Sequence, residues 1–123
     1  LIHAAVAVLP GLIEIDVTDD AVSTSDKESR ELWDKAGGFY GKMLVPTITL
    51  EQITTRFGGF EFINLDVEGQ SAELFLRMLD LGLQPNCVCV ELDGRLTELG
   101  AKATPLHYHM VYNNETNGVF VRK

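Results

Sequence analysis

Between Phe60 and Glu91 the hydrophobic period changes twice, and no other stretch constrains the fold as tightly. Phe60 to Val67 carries Phe62, Ile63 and Leu65 and closes on Asp66, which predicts a strand. Ser71 to Leu81 places Leu74, Phe75, Met78 and Leu79 on one stripe at helical spacing, with Gly82 as the stop. Cys87-Val88-Cys89-Val90 is continuously apolar, the pattern of a strand covered on both faces, and Glu91 ends it. A strand–helix–strand unit of this kind implies a right-handed parallel crossover.

The flanking sequence adds antiparallel parts. Ile2 to Val8 predicts a short buried strand. Pro10-Gly11 marks a turn. Leu12 to Thr18 then alternates, Ile13, Ile15 and Val17 against Glu14, Asp16 and Thr18, as a half-exposed strand does. Ser25-Asp26-Lys27-Glu28 and Thr49-Leu50-Glu51-Gln52 match capping boxes. The first opens a helix to Ala36, and the second a helix ending before Gly58-Gly59. Phe39 to Pro46 reads as irregular, and Arg95 to Ala101 as a brief helix. Leu106 to Tyr112 and Val119 to Val121 form a closing hairpin, with Asn117-Gly118 as its type I′ turn. The expected architecture is one α/β domain over residues 1–123: three layers around a mixed sheet, parallel in the middle, with a C-terminal antiparallel hairpin.

Composition limits what such a domain can do. At 123 residues with 46% hydrophobic content, there is material for one core. A formal net charge of −8 repels phosphate backbones and anionic lipid, so neither nucleic acid nor membrane is an expected partner. No apolar run approaches the roughly 20 residues of a membrane span. Cys87 and Cys89 are two apart, a poor geometry for a bridge in an extended strand, and two lone thiols suit a reducing, cytoplasmic compartment.

In open α/β sheets, ligands bind beyond the carboxyl ends of parallel strands. Both such ends carry acids here: Asp66-Val67-Glu68-Gly69 after one strand and Glu91 after the next. If those strands are neighbours, three carboxylates converge on one rim, where they can act as bases, bind hydroxyls or hold a cation. A solvated turn is an equally good account of the spacing alone. His107-x-His109 would place two imidazoles on one strand face, but no third metal ligand stands nearby in sequence. Neither cysteine has an adjacent basic residue to lower its pKa, so buried small hydrophobes are the better reading of both. Ser23, Ser25 and Ser29 lack a nucleophile-elbow context.

Three runs together resemble the FkbM family of S-adenosylmethionine-dependent methyltransferases: Val45-Pro46-Thr47-Ile48-Thr49-Leu50, Phe60 to Gly69, and Pro85-Asn86-Cys87-Val88-Cys89-Val90-Glu91. The resemblance implies an incomplete class I methyltransferase (Rossmann-like) fold, whose full sheet order is 3-2-1-4-5-7-6. Ile2–Val8 would be strand three, Phe60–Asp66 strand four, Cys87–Glu91 strand five, and the hairpin strands six and seven. Strands one and two, with the Gly-rich donor loop, would be missing, and no G-x-G-x-x-G occurs in the chain. The chain would then be the C-terminal part of a longer domain.

The resemblance further implies S-adenosylmethionine as cofactor, a small-molecule acceptor and methyl transfer to oxygen. Asp66, Glu68 and Glu91 would be the catalytic residues, and His3, Ala4 and Gly69 would lie on the donor side. Gln70-Ser71-Ala72 departs from the family's usual acid or His after the Gly, about one residue long in spacing. A strand four without its neighbour would expose an apolar edge, so a homo-oligomer through Phe60–Leu65 or Ile2–Val8, or a missing N-terminal half, is expected. The alternative is a non-catalytic binding or assembly module that keeps the fold.

Overall fold

The computed structural model describes residues 2–17, 31 and 41–123. The helix expected between Ser25 and Ala36 lies outside these, apart from Glu31, which is helical and exposed. The chain divides into two compact units, Leu1–Thr49 and Leu50–Lys123.

The first unit is a three-stranded sheet of β1 (Ala5–Val6), β2 (Gly11–Val17) and β3 (Gly41–Ile48), ordered β1-β3-β2. β3 runs parallel to β1 and antiparallel to β2, from Gly11 opposite Thr47 to Val17 opposite Gly41. The Ala7 N–H donates to Ile48 O at 3.0 Å and prolongs the β1 contact. Glu14 and Lys42 form an exposed ion pair across the hairpin. β3 corrects the irregular segment expected up to Pro46. Gly41 and Pro46 are local breakers, but Ile13 opposite Val45 and Ile15 opposite Met43 give the segment a partner of matching period. Pro46 stands opposite Leu12, a pairing that persists only where the ladder asks no N–H of the proline.

The second unit runs α1 (Leu50–Phe57), β4 (Phe62–Leu65), α2 (Ser71–Asp80), β5 (Cys87–Glu91), α3 (Leu96–Ala103), a 3-10 turn (Thr104–Leu106), β6 (Tyr108–Asn113) and β7 (Asn117–Arg122). Its sheet order is β4-β5-β7-β6. β4 and β5 are parallel, as the period change around α2 predicts, and β7 is antiparallel to both β5 and β6. α2 ends in a Schellman motif: Leu83 N–H donates to Met78 O, Gly82 N–H donates to Leu79 O, and Gly82 takes φ +68°.

Register fixes which face is core. Ile63, Leu65, Val88, Val90, Gly118 and Phe120 align across the strands, and all but half-buried Ile63 are buried. Leu74, Phe75, Met78 and Leu79 of α2 pack with Leu99 and Ala103 of α3 on this side, and the Phe75 and Phe120 rings lie 4.8 Å apart. The opposite face carries Phe62, Asn64, Cys87, Cys89, Val119 and Val121, none of them buried. On the core face α2 and α3 pack against the sheet of this unit. The Cys87–Val90 run, continuously apolar in sequence, is buried only at Val88 and Val90.

The hairpin turn also differs from expectation. Asn117 and Gly118 belong to β7, and the turn is made by Asn114, whose side-chain oxygen accepts from the Thr116 and Asn117 N–H groups. This Asx arrangement supplies the turn without Asn-Gly at its centre. Gly118 instead serves packing, because a Cβ there would stand 2.9 Å from Leu92 Cδ2. Among the described residues no helix is long and apolar enough to cross a membrane.

Candidate functional site

The carboxyl ends of β4 and β5 lead into two turns of the same design. After β4, Glu68 and Gly69 have φ +36° and +75°. After β5, Asp93 and Gly94 have φ +47° and +69°, and the Arg95 N–H closes the turn on Leu92 O at 2.7 Å. Each turn has two successive residues in the left-handed region, an acid first and a glycine second. Glycine occupies that region without penalty, whereas Glu68 holds it against steric cost. The result is a narrow bend that presents a carboxylate just beyond each strand.

Because β4 and β5 are adjacent and parallel, the two turns share one end of the sheet. Asp66 is exposed, while Glu68, Glu91 and Asp93 are half-buried. Burial is the main cause that raises the pKa of Glu91, followed by the negative charges of Asp93, Glu68 and Asp66. The three carboxylates expected from the sequence thus stand close enough to act on one another, and a fourth joins them. Glu91 Oε2 is buried without a hydrogen-bond partner. A group left in that state favours its protonated form or a donor brought by a ligand.

Asp93 was legible in the sequence only as part of the Leu92-Asp93-Gly94 turn. Its position two residues beyond Glu91, at the end of the same strand, is the signal that could have marked it. Its Oδ2 accepts the Ala72 N–H at 2.8 Å. That bond supplies the N-terminal cap of α2, where Gln70, the residue at the cap position, makes no side-chain cap bond. Ser71 Oγ in turn accepts the Val67 N–H at 2.9 Å. Arg95, from the second turn, pairs with Glu73 of α2 at 3.0 Å and with Glu98 of α3 at 2.8 Å.

The residues expected on the donor side fall into both units. Gly69 sits in the first acidic turn of the second unit, exposed. His3, exposed, and Ala4, half-buried, precede β1 in the first unit. The histidine pair is corrected: His107 caps the 3-10 turn at φ +66° and is not a strand residue, so it does not share a strand face with His109. Among the described residues no group of three or more His, Cys, Asp or Glu is arranged to hold a metal ion. Cys87 and Cys89 are free and half-buried.

No family model, curated protein or solved structure matches the chain.

Proposed function

We propose that this chain is part of a FkbM-like methyltransferase domain, acting on a small acceptor through an oxygen. One observation carries the reading: two adjacent parallel strands end in acidic left-handed turns, within a sheet ordered β4-β5-β7-β6. That order is the second half of the 3-2-1-4-5-7-6 sheet implied by the resemblance. The orphaned Glu91 Oε2 fits a ligand rich in hydroxyl or amino donors, which S-adenosylmethionine is.

When bound, S-adenosylmethionine supplies an electrophilic methyl group. Asp66, exposed at the end of β4, would accept the proton of the acceptor hydroxyl. Glu68, on the first turn, and Glu91, the last residue of β5, would orient hydroxyl or amino groups by accepting their hydrogen bonds. Gly69 would let backbone approach the donor closely.

A second reading, a binding or assembly module without catalysis, draws on the edge of the sheet. Phe57, Phe60 and Phe62 are 51%, 41% and 59% exposed along and beside β4. Such an edge invites pairing with another chain.

Calorimetric titration of S-adenosylmethionine, with the mass in solution measured alongside, separates the two. Micromolar binding supports the methyltransferase reading. No heat at millimolar donor overturns it for this chain and leaves the module.

A further inference from the structure

We infer that Asp93 is the positioning residue of the acidic rim: through the N-terminus of α2 it holds the Glu68 turn in place against Glu91. The inference rests on the functional reading of the rim given above, but its test does not depend on methyl transfer.

The chain of contacts is continuous. Asp93 leaves the end of β5 and binds the Ala72 N–H at 2.8 Å, across 21 residues of sequence. Ala72 is the second residue of α2 and is fully buried, so the anchored end of the helix is packed in the core. Ser71, next to it and also buried, binds back to Val67 at 2.9 Å and closes the loop that contains Glu68 and Gly69. Glu68 therefore sits in a five-residue loop pinned at its far end by Ser71, and the helix start that bears Ser71 is pinned by Asp93.

Besides Asp93, the second turn reaches α2 through the ion pair of Arg95 with Glu73, whose side chains are partly exposed. β4 and β5 pair up to Leu65 opposite Val90, and that ladder stops short of both turns. Glu68 holds a backbone conformation that L residues disfavour. A neighbouring restraint is required to keep it there, and Asp93 is placed to give it. Four carboxylates in one place repel each other, so the rim needs a tether made from one of them. Asp93 spends an acceptor on a backbone N–H, while Glu91 Oε2 stays without a hydrogen-bond partner.

The test compares Asp93→Asn with Asp93→Ala by NMR, in the ligand-free protein. Asparagine keeps an acceptor for the Ala72 N–H and loses the charge; alanine loses both. Both variants lower the titration midpoint of Glu91, since both remove one negative neighbour. A positioning role predicts a further lowering in Asp93→Ala, with displaced amide resonances for residues 67–70, because Glu68 then drifts from Glu91. Asp93→Asn keeps those resonances near wild type. Equal Glu91 midpoints and unmoved 67–70 resonances in both variants would reduce Asp93 to an ordinary helix cap and overturn the inference.

Should Asp93→Ala not fold, Asp93→Glu takes its place, keeping charge and acceptor on a tether one methylene longer. Moved 67–70 resonances there support positioning, and unmoved ones overturn it. Absence of S-adenosylmethionine binding by the wild type would remove the methyltransferase reading and leave this result standing.

Discussion

Glu91 is where burial and charge act against each other most directly. Its carboxyl sits among three other acids with one oxygen buried and unpartnered, and its pKa is raised. An acid whose folded pKa lies above its unfolded value favours folding below that unfolded value, near 4.5, and loses the contribution as pH rises through the folded pKa. Glu91→Gln, which is neutral throughout, should therefore be more stable than wild type at neutral pH, and the gap should close below pH ~4. Urea melts of both proteins across that range check this; a constant difference would contradict it. Tyr108 makes the opposite case, a buried polar group that is satisfied, since its hydroxyl donates to Pro85 O at 2.7 Å. Tyr108→Phe leaves that carbonyl unmet and should cost about 1 kcal/mol.

At the scale of elements, α2 is the centre of the second unit. Its buried stripe, Leu74, Phe75, Met78 and Leu79, meets the sheet at Phe120. Phe75→Ala should cost about 3–5 kcal/mol in a denaturant melt, because the ring is fully buried and its removal leaves a cavity. The exposed ion pairs around the helix, Arg77 with Glu51 and Lys102 with Asp80, contribute far less, and raising the salt concentration should change stability little. The C-terminal hairpin depends on one turn residue and one glycine. Asn114→Ala removes the side-chain acceptor of two backbone N–H groups, and Gly118→Ala drives a methyl against buried Leu92. Each should destabilise by roughly 1 kcal/mol or more, whereas Gly59→Ala, with open space around it, should stay within about 0.5 kcal/mol.

At the scale of the molecule, the edge at β4 is one apolar surface among the described residues. That strand carries neither lysine, proline nor bulge, the usual protections of an edge, and exposes Phe62 in its length. Phe62→Lys should lower any self-association seen by sedimentation at high protein concentration without lowering stability, since the side chain is 59% exposed. Association that is unchanged by this substitution would place the contact elsewhere. The net charge of −8 opposes association between copies, so adding salt should strengthen it.

Much of the fold was legible in advance because its signals are local. The alternation of Leu12 to Val17, the stripe of α2, Gly82 as its stop and the apolar run ending at Glu91 are periods and punctuation that a few residues express by themselves. The convergence of Asp66, Glu68 and Glu91 followed from adjacent parallel strands. What the sequence could not state was partnership. Gly41–Ile48 is a strand because β2 lies beside it, and its own glycine and proline argue otherwise. Cys87 and Cys89 are as apolar as the core, but they are only half-buried, while Val88 and Val90, on the opposite face, are buried. His107 leaves its strand because a 3-10 turn ends on it. Asp93 reads as half of an Asp-Gly turn, and only the approach of α2, 21 residues earlier, makes it an acceptor for Ala72. Periodicity is written in neighbouring residues, while burial, pairing and pKa depend on atoms distant in sequence, and only the folded chain brings those together.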